Sequence, residues 1–248
     1  MMLCLVFLYG LLFGSFYNVI GWRVPVHKSV VKPRSACPHC GHKLGALELI
    51  PLFSYLFQKG KCRCCQAPIS PLYPIIELMT GLLFMWAYHL YGFTWEFLMA
   101  LTFLSLMVII TVSDLVYMLI PDKILLFFLP IFIVERSFYP LFPWWDSLVG
   151  SLFGFLLLLF LTFVTQGGMG GGDIKLFGLI GIMLGTEKML LVLFLASLFG
   201  AVASSIFLLF RKIQKGKPIP FGPYIAAASV LVYFYGGAIL DWYFGMFR

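Results

Sequence analysis

The chain has 248 residues, of which 62% are hydrophobic and 11% are charged, and its mean hydropathy is +1.00. A soluble domain averages about a quarter charged residues, so this composition excludes a soluble enzyme and indicates an all-α polytopic membrane protein. The net charge of +7 does not indicate a nucleic-acid partner, because the basic residues stand between apolar runs, where they orient membrane segments.

Eight apolar runs approach the length of about 20 residues that a helix needs to cross the lipid hydrocarbon. They cover residues 2–21, 72–91, 96–114, 123–140, 147–166, 174–186, 188–210 and 223–241. The first run lacks the basic start and the cleavage site of a signal peptide, so we expect it to be retained. The sixth run is short, and residues 185–188 alone separate it from the seventh. The sequence therefore predicts about eight transmembrane helices.

The orientation follows from the basic residues, because loops rich in Lys and Arg stay in the cytoplasm. Of the 17 Lys and Arg residues, 14 fall in alternate segments on one side of the predicted membrane. This distribution predicts an N-terminus outside the cytoplasm. The chain would then comprise a first transmembrane helix (1–21), a cytoplasmic loop (22–71) and a transmembrane core (72–248).

Four of the six cysteines form two C-x2-C pairs in the predicted cytoplasmic loop, with 21 residues between the pairs. They are Cys37, Cys40, Cys62 and Cys65. This spacing is typical of a tetrahedral zinc site. Disulfides are the alternative, which a cytoplasmic location disfavours because thiols are kept reduced there. Four thiolates leave zinc no open position, so the predicted metal is structural. Cys64 has no role in this scheme.

Two aspartates lie at the ends of apolar runs. Asp114 closes the third run, and Asp173 opens the sixth, directly after Gly170, Gly171 and Gly172. The predicted topology places both aspartates at the cytoplasmic face and at the same depth. A carboxylate in or beside lipid is costly unless it has a partner or a function, although a single one can also be a helix cap. The glycines predict a break between two helices.

Two neighbouring carboxylates share a proton, so one can act as a general base on water while the other protonates a carbonyl oxygen. This chemistry predicts an aspartic peptidase whose substrate has an apolar segment in the membrane and a scissile bond at the cytoplasmic face. The glycines beside Asp173 would let an extended substrate backbone approach closely. An alternative of another class is a transporter or assembly component in which the aspartates relay protons.

Three further charged residues accompany these features. Asp122 follows Pro121 where a helix begins, and we interpret it as a helix cap or a supporting residue. Lys175, two residues after Asp173, belongs to the same supporting set. Glu77 lies inside the second apolar run, where it faces a polar interior or a cofactor site.

Six motifs follow one another along the chain. They are Gly14-Ser15-Phe16-Tyr17-Asn18-Val19-Ile20 with Arg23-Val24-Pro25, the two cysteine pairs, Pro68-Ile69-Ser70 with Tyr73-Pro74 and Glu77, Asp114 with Ile120-Pro121-Asp122, Gly170-Gly171-Gly172-Asp173-Ile174-Lys175, and Ile219-Pro220-Phe221-Gly222-Pro223. In this order they resemble the bifunctional type IV prepilin peptidases, which are leader peptidase/N-methyltransferases of the GxGD intramembrane aspartyl protease class. The resemblance covers almost the whole chain.

The resemblance implies an enzyme of the bacterial inner membrane that serves type IV pilus assembly or protein secretion. Its partners would be prepilin or pseudopilin precursors and membrane lipid. Asp114 and Asp173 would cleave the precursor, and S-adenosylmethionine would methylate the new N-terminal residue. The family associates the 22–71 loop with methyl transfer. Because the chain departs from the family pattern at Leu49, in this loop, and at Leu72, directly after it, a protease without methyltransferase activity is a second alternative.

Overall fold

The computed structural model describes residues 1–209 and 220–246. Apart from two isolated β-bridges, these residues form helices, turns and loops. The predicted all-α class is therefore confirmed. Six residues that the sequence analysis used lie outside the described part. They are Arg211, Lys212, Lys215, Lys217, Ile219 and Arg248.

Each predicted apolar run corresponds to one long helix, with ends that differ by a few residues. The helices are α1 (Met2–Arg23), α2 (Phe53–Phe57), α3 (Leu72–Tyr91), α4 (Trp95–Tyr117), α5 (Asp122–Phe138), α6 (Asp146–Val164), α7 (Gly171–Leu184), α8 (Thr186–Leu209) and α9 (Gly222–Gly245). Among the helices of residues 1–209 and 220–246, only α2, a short helix in the 22–71 loop, does not correspond to an apolar run. A 3-10 turn at Ala46–Leu49 precedes α2.

Five of the described helices are long and apolar enough to cross a membrane, namely α1, α4, α6, α8 and α9. The chain is therefore a membrane protein. Helices α5 and α7 have 17 and 14 residues, which is shorter than the usual span of about 20. Helix α3 has 20 residues, but Pro74, Glu77 and His89 make it less apolar. The predicted count of eight spans is not confirmed and stays a prediction.

The chain divides into two compact units, Met1–Val112 and Ser113–Arg248. In the first unit, α1 and α3 pack closely because glycines lie between them. A Cβ atom on Gly10 would lie 2.7 Å from the Cα atom of Gly81. The hydroxyl groups of Tyr17 and Ser105 share a hydrogen bond of 2.5 Å, which joins α1 to α4 within this unit.

Helix α7 is the centre of the second unit, and α5, α6, α8 and α9 pack against it. Most of its side chains are buried. Glycines again permit the closest approach, since a Cβ atom on Gly150 of α6 would lie 2.9 Å from the carbonyl oxygen of Gly181. The most enclosed helix of this unit is thus a short one, and its first turn carries Asp173.

Candidate functional site

The glycine stretch separates α6 from α7, as the sequence predicted. Helix α6 ends at Val164, and Gly170 is the N-cap residue of α7. Between them, Gln166 and Gly167 have positive φ angles of 53° and 92°. Such angles end a helix because they interrupt its backbone hydrogen bonds. The break therefore places Asp173 in the first turn of a new helix.

Asp173 is held by the backbone at the start of α7. Its carboxylate lies beside the backbone of Gly170, which is the N-cap residue of this helix. A Cβ atom on Gly170 would lie only 3.1 Å from the Oδ2 atom of Asp173. The side chain is partly buried, and its carboxylate lies over the N-terminal turn of the helix.

Asp114 lies one turn before the end of α4, and it is only 6% exposed. Its Oδ2 atom accepts a hydrogen bond of 2.7 Å from the backbone N–H of Gly222. Gly222 is the first residue of α9, and the first N–H groups of a helix have no partner within it. Both predicted catalytic aspartates are therefore held by the N-terminal turn of a helix.

The structure brings Asp114 and Asp173 close enough for their charges to interact, although they are 59 residues apart in the sequence. The segment after α4 connects their surroundings. The Ser113 hydroxyl donates a hydrogen bond of 2.5 Å to the carbonyl oxygen of Leu119, and the next residue, Ile120, lies against Gly172. The segment that follows α4 is thus in contact with the start of α7.

Two contacts beside the aspartates were not predicted from the sequence. The Gly222 amide donates a hydrogen bond to Asp114, and the Ile120 side chain packs against Gly172, next to Asp173. Pro223 does indicate a helix start, but no local pattern shows that the preceding amide faces an aspartate.

The three glycines before Asp173 have different surroundings. A Cβ atom on Gly172 would lie 2.7 Å from the Cβ atom of Ile120, whereas a Cβ atom on Gly171 would have no neighbour within 4 Å. The space at Gly172 is therefore filled by the chain itself. The clearance that we expected for a substrate backbone exists at Gly171.

We expect Gly172→Ala to push Ile120 away from α7 and to destabilise the protein by about 1–3 kcal/mol, as overpacking does. Gly171→Ala, one residue earlier in the same turn, is the matched control and should change stability by less than about 0.5 kcal/mol. Thermal unfolding of both variants in detergent measures the difference. Equal unfolding midpoints for the two variants would contradict the contact.

Asp122 and Lys175 form an ion pair in which the Nζ atom lies 2.7 Å from each carboxylate oxygen. Asp122 is the first residue of α5, but its side chain does not cap this helix. The interpretation of Asp122 as a helix cap is therefore wrong, because the carboxylate is turned towards Lys175. The two side chains are 58% and 48% exposed, so the pair contributes at most about 1 kcal/mol to stability. The ion pair links α5 to α7 beside Asp173.

In the first unit, Glu77 connects α3 to the 22–71 loop. Its Oε2 atom accepts a hydrogen bond of 2.7 Å from the backbone N–H of Leu52. Leu52 has φ and ψ angles of 63° and −52°, and the Phe53 N–H donates to the Pro51 carbonyl oxygen, so Leu52 is the centre of a γ-turn with a positive φ angle, which is rare and strained. The buried carboxylate of Glu77 therefore helps to hold an unfavourable loop conformation.

The four predicted cysteine ligands meet in one cluster, with all four Sγ atoms within 4.8 Å of one another. The Sγ atoms of Cys37 and Cys65 are 3.8 Å apart, and those of Cys40 and Cys62 are 3.9 Å apart. A disulfide requires about 2.05 Å, so these cysteines are free thiols. The cluster can hold a metal ion. Cys64 is exposed and is not part of it.

The two cysteine pairs form turns of the same geometry. In each turn, the first cysteine donates its N–H to the carbonyl oxygen five residues later, at 2.9 and 2.8 Å. Its own carbonyl oxygen accepts from the N–H four residues later, at 2.9 Å in both turns. The residue after the second cysteine, Gly41 or Gln66, has a φ angle of 70° or 58°. Two equivalent turns thus present four sulfur atoms to one point.

The turns also affect the acidity of the thiols. Hydrogen bonds from the backbone of Cys40 and of His39 lower the pKa of Cys37 to about 6. Cys40 itself accepts a hydrogen bond from the backbone of His42, but burial and the three neighbouring thiols raise its pKa to about 12. Four thiolates at these distances repel one another, and a divalent cation removes that repulsion.

Two family models match the chain. The Bacterial Peptidase A24 N-terminal domain matches residues 8–91, and the Type IV leader peptidase family matches residues 101–205. The first match contains the cysteine cluster and Glu77, and the second contains both aspartates. No solved structure matches the chain.

Several curated proteins are similar over nearly the full length. The prepilin leader peptidase/N-methyltransferase of Bacillus subtilis (strain 168) is 44% identical over 245 residues, which is 99% of each chain. Proteins of the same name are 37% identical in Aeromonas hydrophila, over 96% of this chain and 92% of that one, and 35% identical in Pseudomonas aeruginosa, over 97% and 92%. The chain therefore belongs to the type IV leader peptidase family.

Proposed function

We propose that the protein cleaves the leader peptide from prepilin-type precursors and then methylates the new N-terminal residue. The observation that carries the proteolytic part is the pair of aspartates, Asp114 and Asp173, whose charges interact and whose carboxylates lie beside the N-terminal turns of α9 and α7. The methylation part is supported by the names of the similar proteins, which state both activities.

In the proposed cleavage, one carboxylate of the pair removes a proton from a water molecule, which attacks the scissile carbonyl carbon. The other carboxyl group donates its proton to the carbonyl oxygen, which gives a tetrahedral diol. The diol then collapses as the C–N bond breaks, and a proton from the pair goes to the leaving amine. The hydrogen bond from Gly222 to Asp114 and the backbone of Gly170 beside Asp173 would hold the two side chains in place throughout.

We propose that Asp122 and Lys175 support this chemistry by tying the first turn of α7 to α5. Asp122→Asn and Lys175→Gln should each lower kcat by up to about tenfold. Because the two residues would act as one unit, the double variant should be no slower than the slower single variant. Cleavage kinetics for the three variants test this. Effects that multiply in the double variant would show that the residues act independently.

The proposed occupant of the cysteine cluster is zinc. A tetrahedral site with zinc–sulfur bonds of about 2.3 Å separates its sulfur atoms by about 3.8 Å, and the distances of 3.8 and 3.9 Å fit this value. Zinc held by Cys37, Cys40, Cys62 and Cys65 would have no open coordination position. It would act as a structural cross-link for the 22–71 loop.

The proposed methyl donor is S-adenosylmethionine. Glu77 stays the candidate for binding it. Its carboxylate accepts one hydrogen bond, from the Leu52 amide, and a carboxylate has further acceptor positions. We also propose that Glu77 affects methyl transfer through the loop that it holds.

The proposed location is the bacterial inner membrane, with the N-terminus outside and the 22–71 loop in the cytoplasm. The aspartates would lie at the cytoplasmic face. The distribution of Lys and Arg supports this orientation. It also supports the division into a first transmembrane helix (1–21), a cytoplasmic loop (22–71) and a transmembrane core (72–248).

The test is an assay of the purified protein in detergent with one prepilin, with and without S-adenosylmethionine, followed by intact mass measurement. We expect loss of the leader in both samples and the added mass of one methyl group only with the donor. Cleavage without methylation would identify a protease only. Absence of cleavage by folded protein would contradict the proposal and favour the proton-relaying alternative.

A further inference from the structure

An apolar groove of about 910 Å³ runs along α7 in the second unit. Lys175, Gly178 and Ile182 lie on its floor, and their spacing of three and four residues places them on one face of α7. Helices α5 and α6 form its walls, with side chains such as Leu129 and Leu152. Most of the lining is aliphatic or aromatic.

The groove has the length of a helix and begins beside the candidate catalytic pair. It extends from Asp122, the first residue of α5, to Pro140, just beyond the last. The 17 residues of α5 correspond to about 25 Å. Lys175, at the same end as Asp122, is two residues from Asp173. An apolar helix in the groove would thus present its neighbouring backbone to the aspartates.

The charges in the groove favour a peptide over a phospholipid. Two basic residues line it, Lys175 and Arg136, and both are already engaged. Lys175 is paired with Asp122. The Arg136 guanidinium donates to the carbonyl oxygens of Met183 and Tyr139. A lipid phosphate would therefore meet no uncommitted cation among the lining residues, whereas an apolar helix needs none.

We propose that this groove binds the apolar helix of the precursor, next to the scissile bond. The proposal rests on the proposed peptidase function and adds where the membrane segment of the substrate lies. It also makes the α5–α6–α7 groove a determinant of which precursors are cut.

A groove-filling substitution tests the proposal. Gly178 lines the groove, and a Cβ atom there would have no neighbour closer than 3.8 Å, so the side chain of Gly178→Leu should take up space in the groove. Two substrates are compared, a full-length prepilin and a short peptide that spans the cleavage site but lacks the helix. We expect kcat/KM to fall at least ten times more for the prepilin than for the peptide, mainly through KM. Gly237→Leu, at an exposed glycine of α9 with no neighbour within 4 Å, is the matched control.

Photocrosslinking identifies the occupant directly. Benzoylphenylalanine at Leu152, in the groove wall, should crosslink to the prepilin in the intact protein. The same probe at Phe153, an exposed neighbour on α6 that does not line the groove, should not. The proposal would be overturned if the probe at Leu152 gave a lipid adduct and no prepilin adduct, or if it crosslinked to a second copy of the chain.

Different results would contradict the binding site in the groove and the peptidase function. If the parent protein cleaves prepilin but Gly178→Leu affects both substrates equally and Leu152 gives no prepilin adduct, the groove is not the binding site. If the parent protein cleaves neither substrate, the peptidase function itself is wrong.

Discussion

Asparagine in place of Asp114 or Asp173 should slow prepilin cleavage by a factor of about 10²–10⁴, the usual contribution of a general acid or base. Asparagine has the shape of aspartate but cannot take up and release the proton. The amide oxygen of Asn at position 114 can still accept the hydrogen bond from Gly222, so the local fold should persist. Because the two carboxylates would act as a unit, the double variant should be about as slow as either single variant.

Asp241→Asn is the matched control, since Asp241 is an exposed carboxylate on α9 and removing its charge should leave cleavage unchanged. Initial rates with one prepilin and thermal unfolding midpoints should be measured for all variants. Parental cleavage rates in Asp114→Asn or Asp173→Asn would show that the pair is not catalytic. Slow cleavage with a lowered unfolding midpoint would instead indicate damage to the fold.

Serine in place of Cys37 or Cys62 should remove the metal from the cysteine cluster. We expect zinc to fall from about one per chain to nearly none, because a structural site loses its closed tetrahedral coordination when one thiolate is missing. Both residues are buried in the cluster, so the 22–71 loop should also lose its fold. Metal analysis and limited proteolysis of the loop measure the two effects.

Cys64→Ser provides the control for this experiment. Cys64 stands directly before Cys65, but it is exposed and does not belong to the cluster. Its replacement should leave both the zinc content and the protease resistance of the loop unchanged. If Cys37→Ser kept a full complement of zinc, the four-cysteine site would be wrong. Loss of methyl transfer with cleavage largely retained would assign the loop to the second activity.

The helices could be predicted from the composition. In lipid the backbone has no water to bond to, so an apolar run between charged loops forms a helix, which satisfies its own hydrogen bonds. Even the weakest boundary, between the sixth and seventh runs, is correct, since Gly185 has a φ angle of 79° and separates α7 from α8. The number of membrane crossings could not be predicted in the same way. A helix of 14 residues such as α7 was predicted as a short transmembrane span, but a helix of this length does not by itself show that the chain crosses the membrane there.

The candidate site was predictable where the spacing of residues implies geometry. The two cysteine pairs indicate one cluster because each C-x2-C turn directs two sulfur atoms to the same side. The contacts of Asp114 with Gly222 and of Asp122 with Lys175 were not predictable. A backbone donor has no residue type to indicate it, and a single carboxylate at a helix start resembles a cap whether or not it has a distant partner.

The hydrogen bond from Gly222 to Asp114 also determines what mutagenesis can detect. Since the donor is a backbone N–H, a change of side chain at position 222 does not remove it. Proline alone lacks the donor. An alanine scan would report a steric effect at Gly222, because the new Cβ atom would lie 2.8 Å from the Oδ2 atom of Asp114. The interaction would be missed by a standard scan and is better examined by replacing the amide bond with an ester at that position.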